Sequence, residues 1–566
     1  MLSQSNRIRA QESRAAVQRL YIAMRHLFIR GSYKPLGLSG EAMIEAMMVL
    51  RPEIYGSISD PEKVELNGLF YVAQRLPRGI EECRFVRLIS REGFEQSNFD
   101  PIIPPKRRRQ AYRIDNEQMF IEMTRGRSDI YDILTHLTFL YIEAEKIRRN
   151  STDHKGRRKR EWEMLEKIVE HEKLGEEYNR EVAFTYLSTL LGRTYAETVD
   201  ACRRFNDTAE VNSIFHITYW LGRLSLEEAE RDLDREITFS SALREKIGHH
   251  YYGDFWARNI KKYLHENQLF QRPVHIISAN LHSVMNSLYA PAALHKKRKY
   301  QSLEDLAEQL SLDENDHLRE VVKAYAHKNG MVQIDDVTGT NISVQIFDTT
   351  KLGAAGLPGD IPRDVAFLED DKPLILVMDY AFGEQAFESM DELLKPYETD
   401  TGEEICFRVE SISIMGKAGI LEGGKGDLMV PTAHIFEGTA DNYPFDNEIS
   451  KEDLEGHGLQ VFNGPMISVL GTSLQNRDIL QYFNSTSWKA IGLEMEGAHY
   501  QKAIQSAAKI RHNIRSDVKL AYAYYASDNP LETGSTLASG SLSVSGVKPT
   551  YLITRVFLEK ILQPMK

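Results

Sequence analysis

The chain has 566 residues, of which 42% are hydrophobic and 27% charged, a balance too apolar for disorder and too polar for a membrane protein. Its longest apolar runs, such as Leu374 to Met378, fall far below the ~18 residues that a membrane span needs. The net charge of -12 is uneven: residues 336–566 carry about 33 acids and 19 bases, roughly -14, so that part is a poor nucleic-acid surface.

The length suggests about two to four domains. The first residues, MLSQSNRIRAQESRAAVQRLYIAMRHLF, lack an apolar core followed by a small-residue cleavage site and read as a surface helix, not a secretory signal. Three scattered cysteines, Cys83, Cys202 and Cys406, form no CxxC and fit a reducing, cytoplasmic setting.

From the start to about residue 270, apolar residues recur at three and four, predicting a mainly α-helical N-terminal region. The segment Ile130 to Ile147 is an example, with Ile133, Leu134, Leu137, Leu140 and Tyr141 on one side. Two basic runs, Lys106 to Arg109 and Lys155 to Arg160, read as solvated faces or loops. No base-reading motif accompanies them, which argues against a nucleic-acid partner.

Residues 271–365 read as a mixed connecting segment. VHIISA from Val274 is a short buried strand, Asn280 to Tyr289 is helical, and Met331 to Phe347 is a hairpin about a Thr-Gly turn. The Gly-, Ala- and Pro-rich stretch Lys351 to Pro362 is a linker, with the main boundary placed between about 330 and 370.

From 366 to 566, short apolar strands alternate with helices. This predicts an α/β domain, a mostly parallel sheet between helices, with ligands beyond the carboxyl ends of the strands. Polar residues stand at three of those ends. Leu493-Glu494-Met495-Glu496-Gly497-Ala498 offers two carboxylates that could accept hydrogen bonds from a vicinal diol, or an acid that merely stabilises a helix start. Ser527-Asp528-Asn529-Pro530 follows the apolar run of Tyr524 and Tyr525, where a desolvated carboxyl can protonate a ring nitrogen; the same residues also suit an Asx turn. Met415-Gly416-Lys417-Ala418-Gly419 brings glycines to a strand end, where a ligand can approach the backbone. The histidines show no metal-ligand spacing such as HExxH, so no metal and no cofactor is expected.

Together and in this order, MGKAGILEGGKGDLMVP, NGPMISVLGTSLQNRD, AIGLEMEGA and SDNPL resemble the purine nucleoside phosphorylase and nucleosidase superfamily, closest to the catalytic domain of AMP nucleosidases. The resemblance covers about residues 373–566. It implies cleavage of a ribosyl N-glycosidic bond in a small purine nucleoside or nucleotide, with Asp528 at the purine N7 and Glu496, Met495 and Glu494 at the ribose. Gly416, Lys417, Gly419 and Ser527 complete the binding residues. It further implies an acid after the first strand that activates water; with PLILVMD taken as that strand, the residue is Glu384, or else Asp379. A homo-oligomer is implied as well.

Two departures stand out. The glycine loop that relatives carry after a second strand is not visible between Lys395 and Val409, and Lys417 stands where relatives have a small hydroxyl or a His. The expectation is therefore hydrolysis. The alternatives are a catalytically inactive nucleotide-binding or assembly protein on the same fold, and a nucleoside phosphorylase.

Overall fold

The computed structural model describes residues 4–439, 441–532 and 543–563. The chain forms two compact units, one of Ser3–His249 with Ser473–Ile479, the other of His250–Thr472 with Leu480–Lys566. Among the described residues no helix is long and apolar enough to cross a membrane.

The first unit is not only helical. Besides its helices it holds a five-stranded sheet of β1 (Ser32–Tyr33), β2 (Phe85–Ile89), β3 (Ala111–Arg113), β4 (Gln118–Glu122) and β5 (Glu236–Phe239), in the order β1-β5-β2-β4-β3. These strands have two to five residues and lie between long helical stretches, so helical periodicity dominates any wider window. The long helix Gly126–Ser151 supplies much of the unit's core, including Ile133, Leu134 and Leu137.

The first basic run also differs from the solvated loop expected of it. Arg107 grips both oxygens of Asp132 at 2.9 and 3.0 Å, while Arg109, 1% exposed, reaches Asp129 Oδ1 at 3.0 Å and also bonds Asp132. A buried guanidinium needs such partners to offset its lost hydration. The second run stays at the surface, where Arg157 pairs with Asp153.

The second unit is built on a ten-stranded sheet. Its strands are β6 (Val274–Ser278), β7 (Met331–Ile334), β8 (Val344–Asp348), β9 (Leu374–Met378), β12 (Val409–Ile420), β13 (Leu428–Phe436), β14 (Asn442–Pro444), β15 (Val461–Ser468), β16 (Gly492–Glu494) and β17 (Lys519–Asp528). A separate small hairpin, β10 (Tyr397–Glu398) with β11 (Glu404–Ile405), lies between the helix Gln385–Leu394 and β12. The sheet runs β14-β13-β15-β16-β12-β6-β9-β8-β7, and β17 pairs with β12 and β13.

The sheet is mixed where a mostly parallel one was expected. β17, β12, β6 and β9 lie parallel to one another in that order, as do β13, β15 and β16; the hairpin β7-β8 joins antiparallel to β9, and β12 meets β16 antiparallel.

Hydrogen bonding moves the boundary expected between 330 and 370. The Gly- and Pro-rich stretch after Lys351 has neither helix nor strand, yet the strands on either side of it pair directly, Asp348 with Leu374 and Val344 with Met378. The stretch is thus a loop inside one sheet, and the second unit begins near residue 250 instead of 366. It follows that β6, not β9, is the first parallel strand.

Apolar residues cover both sheet faces. On one, Ile277, Val377, Met415 and Ala523 pack with Leu288, Leu306, Val322 and Phe557 from helices. On the other, Ile276, Leu376, Ile414 and Tyr522 pack with Ile260, Met390 and Ala503. With both faces buried, polar side chains can gather only at the strand ends.

Candidate functional site

Three strand ends meet around Gly419. In β12 this glycine pairs with Asp528 of β17 on one side, after a register shift at Ala418, and with Leu493 of β16 on the other. The two motifs singled out in the sequence, Ser527-Asp528 and Glu494-Met495-Glu496, are therefore set on opposite flanks of Met415-Gly416-Lys417-Ala418-Gly419. Gly416 is required by packing, since a Cβ there would lie 2.8 Å from the ring of Tyr524.

Asp528 closes β17 and is 5% exposed. Ser527 donates its hydroxyl to Oδ1, and among the described residues Oδ2 is buried with no hydrogen-bond partner. Burial raises the carboxyl pKa above its usual value, opposed by the Ser527 hydrogen bond and the charge of Lys417. Lys417 in turn has its pKa lowered, chiefly by burial and by Lys425, with Asp528 acting the other way. A carboxyl with a raised pKa and an open lone pair suits a proton donor.

The two glutamates that flank Met495 play different parts. Glu494, 3% exposed, accepts hydrogen bonds from Glu496 N at 2.5 Å and from Gly497 N, and its other oxygen is bonded by Ser468, whose Oγ also receives Ala498 N at 2.7 Å. Its carboxyl ties down the start of the helix Gly497–Gln505, with both oxygens engaged within the fold. Burial, reinforced by the charge of Glu496, raises its pKa to about 8. Glu496 accepts a hydrogen bond from Gly383 N at 2.8 Å, which links this strand end to the loop after β9. Met495, 8% exposed, sits between them. Gly497 is required here because a Cβ would fall 2.2 Å from the buried His434 ring.

Glu384 opens the helix Gln385–Leu394, where its charge is felt by His499. It follows β9, which lies next to β6 in the sheet. The residues beyond β6 are Ala279, Asn280, Leu281 and His282. Asn280 Oδ1 caps the helix Leu281–Leu294 by accepting His282 N at 2.8 Å. Beside them, at the end of β9, Asp379 accepts its neighbour's amide, Tyr380 N, at 2.9 Å. The loop from Asp379 to Glu384 contains Gly383 at φ +55° and follows the second parallel strand.

A cavity of about 570 Å³ opens on the face of the sheet that carries Lys417 and Tyr525. Asn280, His282 and Asn286 line it from one side, Leu310 and Arg319 from another, and Thr550 and Tyr551 from the closing helix Val547–Leu562. Among the described residues no carboxylate lines it.

Among the described residues two clusters bring metal-ligand atoms close together, Glu81, Glu82 and His216 in the first unit and His250, Asp391 and Glu392 in the second. Cations already engage both: Arg113 bonds Glu82 at 2.8 Å, Lys395 bonds Glu392 at 2.6 Å, and Arg511 bonds Asp391 at 2.6 Å.

A family described as "Family of unknown function (DUF6909)" matches residues 41–311 and 307–563. The chain belongs to this family. No curated protein matches this DUF6909 chain. Among solved structures it is similar to a futalosine hydrolase mutant of Helicobacter pylori strain 26695, with 12% identity over 51% of this chain and 99% of that one and a TM-score of 0.30. It is also similar to a 5'-methylthioadenosine/S-adenosylhomocysteine nucleosidase from Colwellia psychrerythraea 34H in complex with adenine, with 9% identity over 51% and 96% and a TM-score of 0.29. A uridine phosphorylase isoform 2 from Schistosoma mansoni aligns with 11% identity over 52% and 88%, at a TM-score of 0.28.

In the DUF6909 chain, sequence reasoning thus located Asp528, Ser527, Lys417, Gly419 and Glu496 at adjoining strand ends. Asn280 and His282, which line the cavity, were not singled out in the sequence. Their signal was the one used elsewhere, a short apolar strand ending in polar residues before a helix.

Proposed function

We propose that the second unit hydrolyses the N-glycosidic bond of a small purine nucleoside or nucleotide and releases the free base, in the manner of AMP nucleosidases. The observation that carries this reading is the buried, unpartnered Oδ2 of Asp528 beside Gly419 at a strand end. In this reading the protonated Asp528 hands its proton to the purine N7 as the bond to the sugar breaks. Glu496 takes the ribose hydroxyls and, as an anion, favours the positive charge that develops on the sugar. Met495 covers the apolar side of the ribose, and Lys417 meets a phosphate where the substrate carries one.

One observation favours a second reading, a binding protein without catalysis: the charge of Lys417 opposes protonation of Asp528. A phosphorylase is the third reading. Incubation with AMP, adenosine, inosine and methylthioadenosine, followed by chromatography of the products, separates the three. Hydrolysis gives free base and free sugar without added phosphate. Base release that strictly requires phosphate supports the phosphorylase, and calorimetric binding with no base released supports the binding protein. A homo-oligomer goes with the proposal, and the mass of the native particle tests it.

A further inference from the structure

The first unit carries a cavity of its own, of about 440 Å³, where the helices Arg160–Leu174 and Tyr195–Asn206 end and the helices Arg180–Leu191 and Ile214–Arg231 begin. Its walls are aromatic. Phe205 and Phe215 are buried, Tyr178 and Phe184 half-buried, and the ring of Phe215 lies 6.1 Å from that of Tyr178, edge to face, and 6.1 Å from that of Phe184, stacked.

Among the described residues two charged side chains line this cavity, Glu172 and Arg180. Two hydroxyls hold the glutamate in place: Tyr178 donates to Oε1 at 2.8 Å and Ser213 to Oε2 at 2.6 Å. Ser213 is itself fixed, because its Oγ accepts His216 N at 3.1 Å and caps the helix Ile214–Arg231. The Tyr178 pKa is raised, by burial first and then by the hydrogen bond and charge of Glu172, with Arg180 acting the other way. Yet among the described residues no Lys, Arg or His pairs with Glu172, and no carboxylate pairs with Arg180.

Neither charge serves its own helix. Glu172 stands in the last turn of Arg160–Leu174 and Arg180 at the first position of Arg180–Leu191, each at the end where the peptide dipoles disfavour its sign. A fixed anion and a cation that line one aromatic-walled cavity, unpaired with each other and placed against the helix dipoles, call for a ligand that brings the opposite charges.

We propose that this cavity binds a small zwitterion of the α-amino-acid class, with its ammonium group at Glu172 among the rings and its carboxylate at Arg180. Aromatic faces attract an ammonium cation, so Tyr178, Phe184 and Phe215 add to what Glu172 offers. The planar fork of Arg180 matches a carboxylate. Phe205 and Val211, 1% and 7% exposed, supply an apolar surface for the side chain, and the volume is that of a small-molecule site. A plain organic cation would leave Arg180 unmet, and a plain anion would face Glu172. The site lies in the first unit and involves no bond making, so it stands or falls apart from base release in the second.

The test is titration calorimetry on the full chain with L-leucine and L-phenylalanine, then with the N-acetyl form and the decarboxylated amine, isopentylamine or phenethylamine, of whichever binds more tightly. At least one of the two amino acids should bind, one per chain. Acetylation removes the cation and should weaken binding roughly 10- to 100-fold, and loss of the carboxylate should weaken it about 10-fold. Glu172→Gln keeps an acceptor for both hydroxyls; it should weaken the parent amino acid roughly 10- to 100-fold and erase the difference between parent and N-acetyl form. Arg180→Gln, at an exposed position, should erase the difference between parent and amine. The proposal is overturned if neither amino acid binds, if the N-acetyl form binds as tightly as its parent, or if Glu172→Gln binds as wild type does. An amine that binds as tightly as its parent, with Arg180→Gln without effect, overturns the zwitterion in favour of a simple organic cation.

Discussion

Replacing Asp528 by Asn probes the centre of the site with almost no change of shape. The amide can still place an N–H donor where the unpartnered Oδ2 lies, but it cannot transfer a proton. Loss of a general acid costs ~10² to 10⁴ in rate. Because the amide keeps a hydrogen bond to the leaving base, the lower part of that range applies: ~10² to 10³, or about 2.7 to 4 kcal/mol of transition-state stabilisation. Initial rates of base release under subsaturating substrate measure this directly.

The same substitution has a stability signature of known sign. The folded pKa of Asp528 is raised above its usual 3.8. Its contribution to stability is therefore fully present below that value and is lost as the pH rises through the folded pKa. The Asn variant lacks this ionisation, so relative to wild type it should gain melting temperature between pH 4 and pH 8. Two results would refute the reasoning: a rate within fivefold of wild type, or a variant that melts lower than wild type at pH 8 than at pH 4. The latter would mean that the carboxylate is stabilised by the fold instead of being held open.

Other substitutions separate catalytic from architectural residues. Glu496→Gln should reduce kcat by ~100-fold with a modest change in melting temperature, because it removes negative charge next to the sugar while keeping an acceptor for Gly383 N. Glu494→Ala should act mainly on stability, by about 2 to 4 kcal/mol in denaturant titration, since it strips two amides and Ser468 of a buried partner. With a folded pKa of about 8, Glu494 favours the fold most below its usual 4.5 and loses that contribution as the pH rises through 8; Glu494→Gln should flatten the fall in melting temperature between pH 6 and 9. Gly497→Ala should destabilise by about 1 to 3 kcal/mol, because its Cβ meets His434 at 2.2 Å. Arg109→Met should cost the first unit about 3 to 5 kcal/mol by leaving Asp129 and Asp132 short of a buried cation.

What was legible in the sequence was local. Asp528 and Glu496 could be read because each follows an apolar run that ends in a helix or a turn, and because Gly416 and Gly419 mark a close backbone approach. The hairpin of β7 and β8 was legible from its alternation. Pairing between strands distant in sequence was not. VHIIS is only five residues long, and two further helices, Leu303–Ser311 and Asp316–Lys328, separate its helix from the hairpin, so β6 resembled a connecting strand and β9 took its place as the first. That displacement is why Glu384, beyond β9, was read as following the first strand.

The two glutamates around Met495 show a second limit. In sequence they are equivalent; in the fold Glu494 is the last residue of β16 and turns to Ser468, while Glu496 lies two residues further on, at the loop after β9. The basic run at Arg107 and Arg109 could not be told from a solvated one, because its acidic partners lie 20 to 25 residues away on the helix Gly126–Ser151.

The most direct measurement is a crystal structure of the full chain with adenine or hypoxanthine bound. The base is expected against Gly419 with its N7 within about 2.6 to 3.2 Å of Asp528 Oδ2. A base held elsewhere in the unit, or one bound there with Asp528 turned away from every ring nitrogen, would contradict it.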